Sequence, residues 1–365
     1  MIDFTLPALG ADMTEGKLLE WKVKPGDAVR RGQVVAVVDT SKAAVDVEIW
    51  QDGTVAQLLV RPGETVPVGT PMARLLAPGE LPVARSRVSP AARQRAATLG
   101  IALESIAGSG PEGAVTLEDV ERTAAAAATP AATVASVPAG TGVGKVADMR
   151  AVIGAAMSRS KREIPHYYLA ESVPMRRAQE WLETFNAGRS LPERLLMAVL
   201  PIKAVALALL KFPELNGFYR NGAFEAGKGI HVGVAIALRQ GGLVAPALHD
   251  AADKPLAVIM QELSDLVQRA RSASLRSSEL ADATVTVTNL GDQGVESVFG
   301  VIYPPQVALV GLGRVSLRPW AEEGVVRAVP VMQATLSADH RVSDGHRGAL
   351  FLNEVRERLQ HPETL

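Results

Sequence analysis

Val23-Lys24-Pro25-Gly26-Asp27-Ala28-Val29-Arg30-Arg31-Gly32 recurs as Val60-Arg61-Pro62-Gly63-Glu64-Thr65-Val66-Pro67-Val68-Gly69. The offset is constant, because 62 − 25 and 69 − 32 both equal 37. The midpoint of Pro25 and Pro62 is 43.5, and Asp39-Thr40-Ser41-Lys42-Ala43-Ala44 lies across it. Around this duplication, Val34-Val35-Ala36-Val37-Val38 and Val45-Asp46-Val47-Glu48-Ile49 are short runs rich in β-branched residues. Turn pairs such as Pro25-Gly26, Asp52-Gly53 and Pro62-Gly63 bound them, which favours hairpins over helices. A repeat this short cannot bury a core alone, so the two copies should pack face to face as one flattened barrel or sandwich. Residues 39–44 then form the tip of an exposed hairpin, with Lys42 near the pseudo-symmetry centre. A lysine so placed suits a covalently attached group carried on a mobile arm.

Outside this region, composition narrows the possibilities. A chain of 365 residues has room for two or three domains. A net charge of −1 and a hydrophobic fraction of 47% do not point to nucleic acid or another polyanion as the main partner. The chain has no cysteine, which excludes disulfides, thiolate metal sites and cysteine nucleophiles. Any thiol chemistry must therefore use thiols on cofactors. No His/Cys/carboxylate cluster has metal-ligand spacing, so no metal site is expected. Met1-Ile2-Asp3-Phe4 leads into the strands without a signal or transit pattern, so a cytoplasmic location is expected. Leu195 to Leu210 is the most apolar stretch. Pro201 and Lys203 interrupt it, and it reads as a buried helix of a large core, not a membrane span.

Two linkers divide the chain. Residues 79–87 form a short one. Residues 123–145 are rich in alanine and proline and nearly uncharged, a composition that stays extended instead of folding. Between them, Ser89-Pro90 reads as an N-cap and first-turn residue for a helix that Gly100 ends. Thr116-Leu117-Glu118-Asp119-Val120 reads as the start of a second helix, with Thr116 and Asp119 in capping-box positions.

From Val146 onward the pattern is α/β. Its chemistry-bearing segment is Leu336-Ser337-Ala338-Asp339-His340-Arg341-Val342-Ser343-Asp344-Gly345. In His-x-x-x-Asp-Gly the imidazole can act as a general base near neutral pH. The carboxylate four residues on can fix neighbouring charges or loop geometry, and the glycine permits a tight turn. Thr286-Val287-Thr288-Asn289-Leu290-Gly291 reads as a strand ending in a turn, and Ile302-Tyr303-Pro304-Pro305-Gln306 follows it. Upstream stand Ile164-Pro165-His166-Tyr167-Tyr168, Phe212-Pro213-Glu214-Leu215-Asn216 and Gly242-Leu243-Val244-Ala245-Pro246. His166, His231 and His249 read as packing or surface residues, and Asn289 and Gly291 as shapers of the turn.

These motifs, in this order, resemble the dihydrolipoamide acyltransferase components of 2-oxo acid dehydrogenase complexes. Residues 2–78 resemble a lipoyl domain, with Ser41-Lys42-Ala43 where the family usually has Asp-Lys-Ala. A biotin carrier usually has Met-Lys-Met there. The helical module resembles a peripheral-subunit-binding domain. Residues 146–365 resemble the acyltransferase domain, whose fold and His-x-x-x-Asp-Gly motif chloramphenicol acetyltransferase shares. The resemblance implies a multidomain chain with an all-β flattened lipoyl barrel (1–78), a small α subunit-binding module (88–122) and an α/β chloramphenicol-acetyltransferase-like catalytic domain (146–365).

The resemblance also implies roles. Lys42 would carry lipoate in amide linkage, and coenzyme A would be the second thiol. His340 would deprotonate the attacking thiol, and Thr288 would donate to the tetrahedral oxyanion. Asp344 would hold the loop and its ionic neighbours, with Arg341 a candidate partner. Arg93 and Arg95, with Arg85 and Arg87 adding charge, would grip an acidic face on a partner. The implied partners are the decarboxylating 2-oxo acid dehydrogenase and dihydrolipoamide dehydrogenase. The implied assembly is a homotrimer, possibly built into a 24-subunit cage, with His340 and Thr288 contributed by different chains.

Acetyl is the expected acyl group. Succinyl or branched-chain acyl transfer is the alternative, as is a lipoylated scaffold without catalysis. Thr288 stands where many acetyl-transferring members have serine, and Tyr303 stands where asparagine is common before Pro-Pro. His361-Pro362-Glu363-Thr364-Leu365 lacks the apolar tail that typically docks one trimer onto another, which favours a trimer over a cage.

Overall fold

Among the described residues, eight strands fill the N-terminal repeat region: β1 (Ile2–Thr5), β2 (Glu15–Trp21), β3 (Ala28–Val29), β4 (Val34–Asp39), β5 (Ala44–Glu48), β6 (Gly53–Leu58), β7 (Thr65–Pro67) and β8 (Pro71–Leu76). The computed structural model describes residues 1–8, 13, 15–40, 44–76, 92, 96, 116–120, 142–238, 242–272, 274–322 and 324–365. Lys42, Arg93 and Arg95, the Ser89-Pro90 cap and the alanine-proline linker at 123–141 lie outside the described residues. The chain forms two units, one of Met1–Pro78 with Thr141–Leu365, the other Gly79–Gly140.

The eight strands make two antiparallel sheets. One runs β1-β8-β6-β3, and the other carries β5-β4-β2-β7. Alternation along each strand turns one face inward. Val45 and Val47 of β5, Val35 and Val38 of β4, and Phe4, Leu18, Met72 and Leu75 are all at most 1% exposed, in one shared apolar core. The sequence repeat is a structural repeat. The Gly26 N–H donates to Val55 O at 2.8 Å, and the Gly63 N–H donates to Leu18 O at 2.7 Å. Since 63 − 26 and 55 − 18 are both 37, each copy makes the same bond to the other, the signature of a pseudo-twofold. Gly26 and Gly63 take φ of 99° and 91°, a conformation that favours glycine. Asp27 accepts from the Lys24 N–H at 3.0 Å, and Glu64 accepts from the Arg61 N–H at 3.1 Å in the equivalent turn. The β4–β5 hairpin closes on the pair Asp39↔Ala44, and Lys42 lies in the connection between them.

In the other unit, Ala92 and Ala96 are helical and buried. Residues 117–120 form a helical turn. Asp119 accepts from the Thr116 N–H and hydroxyl, both at 3.0 Å, which matches the capping-box reading.

The C-terminal region opens with helix α1 (Gly142–Glu163) and strand β9 (His166–Pro174), followed by helices α2 (Arg176–Asn186) and α3 (Val199–Leu209). Short hairpins follow: β10 (Gly217–Arg220) with β11 (Ala223–Ala226), and β13 (Ile236–Ala237) with β14 (Leu243–Val244). Between and after them lie β12 (Val232–Val234), β15 (Ala247–Leu248), helix α4 (Leu256–Arg271), β16 (Leu275–Arg276) and helix α5 (Ser277–Ala281). The last elements are β17 (Val285–Asn289), β18 (Ala308–Leu312), β19 (Ser316–Glu322), β20 (Val325–Asp339) and helix α6 (Gly345–Gln360). The main sheet has the order β15-β12-β17-β18-β20-β19, with β9 also pairing β20. Its central strands β12, β17 and β18 run parallel, and β12 and β18 are wholly apolar while β17 alternates valine with threonine.

Helix α3 fulfils the buried-helix reading of Leu195 to Leu210, because ten of its eleven residues are buried. Lys203 is tolerated there because its Nζ donates to three backbone carbonyls, Ala251 (3.3 Å), Ala252 (2.6 Å) and Lys254 (2.8 Å). Helix α6 buries Gly348, Phe351, Leu352, Val355 and Leu359, a three-to-four spacing that makes one apolar stripe. Among the described residues no helix is long and apolar enough to cross a membrane.

Candidate active site at the β20–α6 turn

Strand β20 ends at the buried Asp339, and the next five residues turn the chain into α6. The His340 N–H donates to Pro165 O at 2.9 Å, which ties the turn to the start of β9. The Val342 and Ser343 N–H groups both donate to Asp339 O, at 3.0 and 3.1 Å. His340 is left exposed while its backbone is held. Its ring meets Tyr167 edge-on, with centroids 5.3 Å apart and an interplanar angle of 72°. The Tyr167 hydroxyl shares a 2.8 Å hydrogen bond with Ser343 Oγ. Burial pushes the Tyr167 phenol up, so it stays protonated at neutral pH.

The expected Arg341–Asp344 pair is corrected by this geometry. Arg341 instead grips Asp339 through its own N–H (3.0 Å), Nε (3.0 Å) and Nη2 (2.6 Å). The Arg341 guanidinium lies 3.9 Å from the centre of the Tyr219 ring. The turn brings Arg341 back onto the carboxylate two residues earlier. Asp344 is engaged elsewhere, as the N-cap of α6 accepting from the Arg347 N–H at 2.9 Å. That bond is the main cause holding the Asp344 carboxyl below the usual range, and a second backbone hydrogen bond, from His346, adds to it. An ionised carboxylate thus stands within electrostatic reach of His340.

Residues 340–344, with Glu214 and Arg347, line an open cleft of about 610 Å³. Arg347 pairs with Glu214 and lies over Phe212, with its guanidinium 4.7 Å from the ring centre. Tyr167 and Glu214 were not singled out by sequence reasoning, although both sit in the segments 164–168 and 212–216 that marked the domain.

The chain brings His340 and Asp344 together and leaves Thr288 apart. Thr288 pairs Gly311 on β18, which pairs Thr335 on β20. That places it two strands across and five residues short of His340, roughly 10 Å and 17 Å by strand geometry. Thr288 is half-buried, and its hydroxyl forms no hydrogen bond among the described residues. Asn289 shapes the turn as expected, its Oδ1 accepting from the Gly291 N–H at 2.9 Å. A Cβ on Gly291 would lie 2.8 Å from Gly313 O.

His166, His231 and His249 hold structure. His166 Nδ1 lies 2.8 Å from Ile164 O, and its Nε2 accepts from the Ile302 N–H at 3.1 Å. Burial lowers its pKa. His231 accepts from the Asp250 N–H, and His249 lies 3.1 Å from Asp282.

Residues 139–365, more than half of the chain, match the family described as 2-oxoacid dehydrogenases acyltransferase (catalytic domain). The chain belongs to that acyltransferase family. Residues 2–75 match the family described as biotin-requiring enzyme, which includes lipoyl domains, and residues 86–121 match the e3 binding domain. A curated relative is the dihydrolipoyllysine-residue acetyltransferase component of pyruvate dehydrogenase complex of Staphylococcus aureus. It is 28% identical over 427 residues, covering 100% of this chain and 98% of the relative. Among solved structures, a probable dihydrolipoamide acetyltransferase from Listeria monocytogenes is 28% identical with a TM-score of 0.55, covering 64% of this chain and 97% of that one. The cubic core of a pyruvate dehydrogenase multienzyme complex, 23% identical with a TM-score of 0.55, shares the fold over 64% of this chain and 93% of that one.

The acyltransferase is therefore the acyl-transferring core component of a 2-oxo acid dehydrogenase complex. It has the expected three kinds of domain. Its cofactor is covalently held lipoate, with coenzyme A as the other thiol. The e3 binding domain makes it a holder of partner enzymes as well as a catalyst.

Proposed function

We propose that this acyltransferase passes acetyl groups between lipoate on Lys42 and coenzyme A, as the core of a pyruvate-type dehydrogenase complex. The observation that carries the reading is the cleft in which exposed His340 stands beside an ionised Asp344. The acetyl and pyruvate assignments draw on the full-length Staphylococcus aureus relative.

Lys42 suits this role because in sequence it lies between Asp39 and Ala44, the pair on which the β4–β5 hairpin closes. Bound lipoate supplies a thiol that bears the acyl group at the end of a long arm. His340 takes the proton from the attacking thiol of coenzyme A and returns it to the departing sulfur, so no net proton or electron is consumed. Asp344 stabilises the imidazolium that forms and transfers no proton itself. Tyr167 holds the ring edge, and its hydrogen bond to Ser343 fixes the loop below. The oxyanion needs a hydroxyl donor. Thr288 of the same chain is too far away, so the donor is Thr288 of a neighbouring copy in a homotrimer.

Residues 1–78, 88–122 and 146–365 act as carrier, partner-binding and catalytic domains of a cytoplasmic complex. Arg93 and Arg95 meet an acidic surface on the decarboxylating dehydrogenase or on dihydrolipoamide dehydrogenase.

The test is acyl transfer to dihydrolipoamide by the full chain, comparing acetyl-, isobutyryl- and succinyl-coenzyme A. Acetyl is expected to be fastest, and His340→Ala to lose roughly 10²–10⁴-fold in rate. A preference for succinyl or isobutyryl would replace the acetyl assignment. Equal rates for His340→Ala and the parent would remove the catalytic role.

A further inference from the structure

Strand β16 is two residues long and does not join the sheet of its own domain. It adds in parallel to the outer edge of β5, with Leu275 opposite Val45 and Arg276 opposite Asp46. This extends the β5-β4-β2-β7 sheet of the lipoyl domain to five strands. Beside the pairing, the Glu48 N–H donates to Ser277 Oγ at 3.2 Å, and Ser278 Oγ donates to Glu48 Oε2 at 2.5 Å. Leu280 on α5 packs against the apolar cores of both domains.

We infer that Leu275–Arg276, with Ser277, Ser278 and Leu280, is a docking seat on the acyltransferase domain for the lipoyl domain. Four observations carry this. An edge strand exposes unpaired backbone groups, and adding a strand is a general way to bind it. The seat is held rigid from its own side: the Arg276 N–H donates to the buried Glu279 at 2.8 Å, and Arg269 bonds Glu279 at 2.5 Å and Asp265 at 2.7 Å. The contact is selective, since it uses the sheet whose β5 begins two residues after Lys42 and not the β1-β8-β6-β3 sheet. It is also small: among the described residues it consists of one two-residue bridge, two side-chain hydrogen bonds and one shared apolar side chain. That size suits a carrier that must leave after each transfer, and the covalent tether supplies the effective concentration that the contact lacks.

The purpose of the seat rests on reading Lys42 as the carrier lysine, but the contact can be measured without lipoate. The chain has no cysteine, so introduced thiols report alone. Asp46→Cys with Arg276→Cys places two thiols on facing residues about 4.8 Å apart, within disulfide range. Asp3→Cys with Arg276→Cys is the control, because Asp3 lies on β1 in the other sheet. Under mild oxidation of the full chain, the first pair is expected to link at least tenfold faster than the control, within one chain or between copies. Equal rates would overturn the seat.

Amide exchange gives a second measurement that needs no introduced cysteine. Exchange at Glu48 is expected to rise several-fold in Ser277→Ala with Ser278→Ala, and no change would overturn the seat. Neither readout depends on catalysis. A failed seat with normal acyl transfer leaves the proposed function standing, and the reverse result separates the two in the other direction.

Discussion

Asp339 and Arg341, which flank His340 in sequence, pair with each other across it. The Asp339 carboxylate is fully buried and its charge is met by three donors of Arg341, so removing that charge strands a guanidinium at the mouth of the cleft. Asp339→Asn should cost about 2–3 kcal/mol, below the usual figure for a buried pair because the Arg341 side chain is 31% exposed. The check is the unfolding midpoint of the C-terminal domain, and a midpoint equal to that of the parent would refute the assignment.

His166 gives a second prediction at this scale. Burial depresses its folded-state pKa below the ordinary value near 6.5. The unfolded chain therefore binds the proton more tightly. The contribution of His166 to stability is full above about pH 6.5 and is lost as pH falls through the folded value. His231 is shifted the same way. His249, raised chiefly by its hydrogen bond to Asp282, works in the opposite sense and stabilises on the acid side. Thermal unfolding of the parent and His166→Gln between about pH 6.5 and 5 should show the flatter profile in the variant.

At the scale of elements, the repeat was legible because its turns are local. Pro-Gly and Asp or Glu at fixed offsets specify each turn within a few residues, and the structure repeats even the sign of φ at Gly26 and Gly63. A Cβ at either glycine meets nothing within 4 Å, so alanine is opposed by backbone conformation alone. Gly26→Ala and Gly63→Ala should each destabilise the lipoyl domain by about 1–2 kcal/mol, and by the same amount. Unequal midpoint shifts in denaturant would contradict the pseudo-twofold.

The buried α3 and the His340–Asp344 turn were equally legible, one from its continuous apolar run and the other from a local motif. The partners that complete the turn were not. Tyr167 reaches Ser343 across 176 residues of sequence, and Arg347 reaches Glu214 across 133. Such contacts leave no periodic trace. Arg341 had a carboxylate on either side, and only the helix cap made by Asp344 decides between them.

At the scale of the whole molecule, the proposed mechanism gives one chain half of a reaction centre. The chain presents His340 and Asp344 on one turn, and its own Thr288 hydroxyl two strands away. It also presents the strand next to Lys42 to an edge of its own acyltransferase domain. Carrier and catalyst are thus parts of one chain whose chemistry requires them to meet. The direct test is to reduce the lipoylated full chain, supply acetyl-coenzyme A and map the acetyl group by mass spectrometry of its peptides. The account predicts acetyl on the peptide bearing Lys42, lost in Lys42→Arg and slowed by two or more orders of magnitude in His340→Ala. Acetyl reaching that peptide at an unchanged rate in His340→Ala, or never reaching it in the parent, would contradict the account.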